Sequence, residues 1–152
     1  METTKLPQPY GLRLETMFAK GFRAEEALQL IRRNDPAELR EKVDPEAAWE
    51  SFLEFANAHP ETIEAAVRDG YRFPFLTIGG LRSLLSIKYN KKEDRDYRVR
   101  DNRVEQLFLT RSELASLRRL APNHWRILER AAEDGRADDV VGVEIVMGGA
   151  AE

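Results

Sequence analysis

From Ala24 to Gly70, every apolar stripe of helical spacing is soon cut off by a glycine, an asparagine or an X-Pro pair. Ala24, Ala27, Leu28 and Ile31 follow the i, i+3, i+4, i+7 rule, and Asn34 ends them. Asp35-Pro36 and Asp44-Pro45 each open a new helix, with aspartate as the cap and proline in the first turn. Glu38, three residues after Asp35, strengthens the first of these signals. The helix predicted over 45–58 carries Trp49, Phe52, Leu53 and Ala56 on one face, with Phe55 widening the stripe. His59-Pro60 breaks it and begins another, which turns Ile63, Ala66 and Val67 inward and stops at Gly70. A short helix over 12–20, closed by Gly21 as a left-handed cap, precedes them all. This punctuation predicts a bundle of short helices over 12–70, behind a flexible segment 1–11 that holds Pro7, Pro9 and Gly11.

The pattern changes at Tyr71. The segment YRFPFLT is aromatic, contains a proline and lacks helical periodicity, so it is expected to be extended. Thr77 can cap the next helix, whose inward residues would be Ile78, Leu81, Leu84 and Leu85. Asp101-Asn102 is a plausible two-residue hairpin turn, because both residue types tolerate positive φ. That turn would pair Arg100 with Arg103, Val99 with Val104, Arg98 with Glu105 and Tyr97 with Gln106. Tyr97, Val99, Val104 and Phe108 would then line one side of the hairpin, with Arg98, Arg100 and Arg103 on the other. Thr110 and Glu113 form a capping box for a helix that Pro122 stops. Asn123 then caps a predicted last helix that ends at Gly135, with His124, Ile127, Leu128 and Ala131 on one face. VVGVEIVM at 140–147 reads as a buried strand able to pair with the hairpin, and 148–152 as a flexible tail.

The fold class expected is therefore α+β. One domain, 12–147, would comprise the helical part 12–70, a winged-helix-like helix–β-hairpin–helix part 71–121, and a C-terminal helix and strand over 122–147. The 152 residues include no cysteine, which excludes disulfides, thiolate-bound zinc and a cysteine nucleophile. Charged residues make up 34% of the chain and interrupt every apolar run long before a membrane-spanning length, and the first residues lack the apolar stretch of a secretion signal. A soluble, cytoplasmic protein is the expectation.

The net charge of −3 hides an asymmetry. Residues 1–70 hold 9 Lys/Arg against 14 Asp/Glu, 71–130 hold 14 against 7, and 131–152 hold 1 against 6. A basic middle between acidic ends suggests an anion-binding surface or three segments that attract one another.

No zincin, nucleophile-elbow, phosphate-loop or dinucleotide motif is present. His59 and His124 read as capping or packed histidines, and Glu93, Asp94 and Asp96 lack the spacing of a calcium loop. The expectation is a protein without a catalytic site, a metal or another cofactor. A three-helix unit followed by a hairpin is the outline of a winged helix, with helices 45–58, 60–69 and 77–88 and a wing over 96–109. Arg82 and Lys88 would face a major groove, while Arg98, Arg100 and Arg103 would reach phosphates or a narrow minor groove. The run T-I-G-x-L-x-x-L-L-x-I at 77–87 is similar to the opening of MerR-type regulators, over about a tenth of the chain. The T-L-R-x-Y segment that follows in that family is missing here.

Two functions fit these features. The first is a small regulatory protein binding nucleic acid through the basic helix and the arginine-tipped hairpin. The second is a protein–protein adaptor that uses Tyr71, Arg72, Phe73 and Phe75, with self-association through the hairpin as one route to a homodimer.

Overall fold

A computed structural model describes residues 4–130 and 140–147. The fold is α+β, and the chain divides into two compact units, Met1–Phe73 and Pro74–Glu152.

The first unit is helical: α1 (Gln8–Ala19), α2 (Ala24–Arg33), α3 (Pro36–Lys42), α4 (Trp49–Ala58) and α5 (Pro60–Asp69). Its helices end where the punctuation predicts. Gly21 and Gly70 have φ of 100° and 94°, and Asn34 closes α2 at φ 58°. Asp35 caps α3 by accepting hydrogen bonds from the amides of Ala37 (3.0 Å) and Glu38 (3.4 Å). Two boundaries differ from expectation. First, α1 begins at Gln8, because Pro7 and Pro9 suit a helix start as well as they suit extended chain. Second, α4 begins at Trp49 instead of after Asp44. The Asp44 carboxylate caps a local turn at the Glu46 amide, and its carbonyl accepts from the Trp49 indole (2.9 Å), which holds 44–48 off the helix axis.

The core of this unit includes Leu14, Met17, Leu28, Leu30, Trp49, Phe52 and Ile63. The extended residues after α5 return to the N-terminal segment: Arg72 donates to the Thr4 carbonyl (2.8 Å), and Leu6 donates to the Arg72 carbonyl (3.1 Å). This return seats Tyr71 and Phe73 against α1. A methyl group at Gly11 would stand 2.3 Å from the Phe73 ring, so only glycine admits it.

The second unit holds α6 (Ile78–Tyr89), β1 (Arg98–Arg100), β2 (Arg103–Thr110), α7 (Arg111–Leu120), β3 (Trp125–Arg130) and β4 (Val140–Met147). Thr77 caps α6 at the Gly80 amide, and Thr110 with Glu113 forms the predicted reciprocal box at the start of α7. The four strands make one antiparallel sheet in the order β1-β2-β4-β3. The β1–β2 turn is Asp101-Asn102, with φ of 53° and 58°, and the three strand pairs next to it are those the turn predicts, while the fourth, Tyr97 with Gln106, does not form: Tyr97 bridges to Glu93 instead.

Two expectations fail here. Residues 125–130 form strand β3 where helical spacing predicted a helix; the rest of that predicted helix lies beyond the described residues. Pairing along the whole of β4 decides the matter, from Trp125 opposite Met147 to Arg130 opposite Gly142. The second correction is a β-bulge. Between Val104 and Leu107, β2 advances one residue more than β4, and Gln106 takes φ 64°. Beyond the bulge Leu107 and Leu109 are buried, and Phe108 moves to the opposite face from the one predicted.

The inner face of the sheet consists of Val104, Leu107 and Leu109 on β2, Val141, Val143 and Ile145 on β4, and Trp125 and Ile127 on β3, all buried. Helix α7 lies against β2, and Tyr89 of α6 meets Ser116 of α7 through their hydroxyls (3.0 Å). Among the described residues no helix is long and apolar enough to cross a membrane.

Candidate nucleic-acid interface

Antiparallel pairing puts directly opposed residues on one face, so the register alone builds the outer surface of the sheet. Arg100 opposes Arg103, Arg103 opposes Val146, and Val146 opposes Arg126. Three arginines therefore share one cross-strand row over three strand spacings, roughly 14 Å. In a second row Phe108 opposes Gly142, which opposes Arg130. Between the rows lie Arg98 opposite Glu105 and Leu128 opposite Glu144.

The arginines of this face fall into two groups. Glu144, only 6% exposed, holds two of them: Arg103 at 3.3 Å and Arg130 in a shorter contact. Arg103 also lies 3.7 Å from Glu105. Arg98, Arg100 and Arg126 are exposed and have no carboxylate partner among the described residues. Their charge faces water.

A groove of about 1030 Å³ runs along the outer face, lined by Arg98, Glu105, Gln106, Phe108, Gly142 and Arg130 together with Lys91 and Asp94–Tyr97 of the connection before β1. At Gly142 a methyl group would stand 3.5 Å from the Phe108 ring and 3.4 Å from Arg130 Cβ. Both are ordinary contact distances, so the ring lies beside the strand with room for a methyl group.

The other predicted nucleic-acid residues lie apart from this face. On α6, Arg82 pairs with Glu93 at 2.6 Å, and Ser86 accepts from Lys92 Nζ at 2.6 Å. Lys88 is half-buried near the end of the same helix. The connection 91–97 is thus fastened along α6. It is also tied to itself, because Asp96 accepts from the Lys92 amide (2.8 Å) and pairs with Arg95 (2.7 Å). The Lys92 amide, with help from Arg95, holds the Asp96 carboxyl below its ordinary range. Tyr97, 3% exposed, closes this connection; burial raises its phenol pKa, with Arg82 opposing the shift.

The predicted partner-binding residues divide between packing and surface. Tyr71 and Phe73 are buried in the first unit, in edge-to-face contact at 5.3 Å, and the Arg72 backbone is engaged by residues 4 and 6. Phe75, in the second unit, is 55% exposed and stacks on His124 at 4.9 Å. His124 Nε2 lies 3.0 Å from the Leu76 carbonyl, which also accepts from the Trp125 indole (2.8 Å). A carbonyl only accepts, so Nε2 carries the proton.

Arg126 and Arg130 are the residues that sequence pattern missed. They become part of the face because 125–130 is a strand, and the alternation of buried Trp125 and Ile127 with charged neighbours was the available signal. Comparison of the chain with protein-family models, with curated proteins and with solved structures gives no match.

Proposed function

We propose that this is a small cytoplasmic regulatory protein that binds nucleic acid through the arginine-bearing outer face of its sheet. One observation carries the reading: Arg98, Arg100 and Arg126 project from one surface without carboxylate partners among the described residues. Exposed, unpaired guanidiniums on a firm support suit phosphate, which they contact in bidentate geometry and from which they release counterions. The winged-helix version of the reading would assign the hairpin as wing and α6 as recognition helix, with Arg82 and Lys88 at the groove.

Fluorescence anisotropy with labelled DNA and RNA at two salt concentrations tests the proposal. Binding should weaken as salt rises, and again when Arg98, Arg100 and Arg103 are replaced by alanine. Absence of binding at low salt would sink it.

A protein-adaptor reading is favoured by a different observation, the exposure of Phe75 beside His124, with Met147 also 48% exposed. Light scattering of the purified protein, alone and with a candidate partner, tests that reading. A strict monomer that binds no partner would count against it.

A further inference from the structure

We infer that the ligand of this face is single-stranded nucleic acid, with a base stacked on Phe108 and phosphates held by Arg98, Arg100 and Arg126. The inference rests on the nucleic-acid reading and makes it specific. Three features of the second unit support it.

The first is what the hairpin lacks. Reading a duplex requires an element that enters a groove, and the major groove of about 12 Å admits a helix or a two-stranded ribbon. Strand β2 is paired on both sides, to β1 over Arg103–Glu105 and to β4 as far as Thr110, while β1 has only three residues. Among the described residues no free-standing ribbon remains. The second is the state of α6. Arg82 and Ser86, two of the polar residues a recognition helix would offer, are taken by Glu93 and Lys92 of the connection that lies along it. Entry of this helix into a groove would first require that connection to leave.

The third feature is the composition of the open sheet. Single strands bind where cations track the backbone and an aromatic ring receives a base, and stacking tolerates any sequence because every base has a π-face. Both elements are present. The row Arg100–Arg103–Val146–Arg126 crosses the sheet, and Phe108 lies in the groove next to Arg98 and Arg130. The acids of the groove are largely engaged within it, Asp96 by Arg95 and Glu105 by Arg103, while Asp94 is exposed on the connection. A duplex, with its bases stacked inside, would have no use for Phe108.

The test uses the full chain and one sequence in two forms, a short labelled oligonucleotide alone and annealed to its complement, each as DNA and as RNA. Anisotropy should show the single strand bound at least about ten-fold more tightly than the duplex. Arg126→Ala should weaken single-strand binding and lower the salt slope by about 0.7, the value of one phosphate contact on a single strand. Phe108→Ala should cost about ten-fold or more and leave the salt slope unchanged. Because Phe108 is partly buried, Phe108→Tyr is the companion variant, and it should bind like the wild type. Equal or tighter binding of the duplex would overturn this inference and leave the nucleic-acid reading standing, as would an unchanged affinity in both Arg126→Ala and Phe108→Ala. Binding of neither form at low salt would overturn both.

Discussion

The Tyr71 hydroxyl donates to the Glu15 carboxylate at 2.6 Å inside the first unit, where both residues are nearly inaccessible to water. The Gly11 carbonyl lies 3.1 Å from the same hydroxyl, so the chain after α5 is fastened to α1 at a single phenol. A hydrogen bond to a charged group contributes about 1.5–3 kcal/mol, and its loss leaves the carboxylate short of one donor. Tyr71→Phe should therefore destabilise the protein by that amount, measured as a shift in the urea midpoint with an unchanged slope.

Gly11 and Phe73 are in closer contact than any larger residue allows. Gly11→Ala must displace the ring, and overpacking of this kind costs about 1–3 kcal/mol. Thermal unfolding should show the loss. Phe73→Leu in the same chain should restore part of it, which would identify the clash as the cause.

The hairpin turn holds two non-glycine residues at positive φ. Asn102→Gly removes the steric cost at the second of them, where Asn-Gly and Asp-Gly are the preferred pairs. The variant should gain up to about 1 kcal/mol in chemical denaturation. A loss of stability would mean that the Asn102 side chain contributes something the turn geometry does not require.

Glu144 holds Arg103 and Arg130 in place on the outer face. Glu144→Gln keeps its size and removes its charge. Both guanidiniums stay half-exposed, so stability should remain within about 1 kcal/mol of wild type. Affinity for nucleic acid should rise, and the salt slope should steepen by about 0.7 for each arginine that gains a phosphate. Titration of the variant at several salt concentrations checks this.

The pH dependence follows from two kinds of group. Burial favours the neutral Tyr97 phenol, so its folded pKa is raised. Its contribution is complete below the ordinary phenol value and is lost as pH rises through the raised one. Tyr97 should ionise late in an ultraviolet titration, and Tyr97→Phe should remove that late component. On the first unit, Glu25 is held low by Arg68, Glu38 by Lys42 and Arg33, and Glu50 by Arg40. Their contributions are present above the ordinary carboxylate range and fade as pH falls through the lowered values. Glu25 and Glu50 are exposed and Glu38 is half-buried, so added salt should flatten the acid limb of the stability curve through the first two above all.

Local chemistry was the legible part of this fold. Asn34, Gly21, Gly70, Thr77, Thr110 and the Asp101-Asn102 turn all act through neighbours a few residues away, and each does what its type predicts. Partners distant in sequence decide the rest. Ile127 and Leu128 fit a helical stripe as well as Trp125 and Ile127 fit a strand, and only the β4 register chooses between them. That choice also determines whether Arg126 and Arg130 belong to the candidate surface. Tyr71 and Phe73 suit an exposed hot spot and a packed seam equally well by residue type; the return of the chain to α1 decides for packing. Gln106 is not a residue that announces positive φ, so the bulge left no mark in the sequence.

That bulge has a consequence for the surface. Arg103 and Phe108 are separated by an odd number of positions, and in a regular strand such residues look in opposite directions. They look the same way because one extra residue is absorbed opposite Glu144. The coexistence of charge and aromatic ring on one surface thus depends on the length of a single strand. Removing Gln106 would take away no arginine and no ring, yet either the ring or the arginines of the turn would then have to face inward.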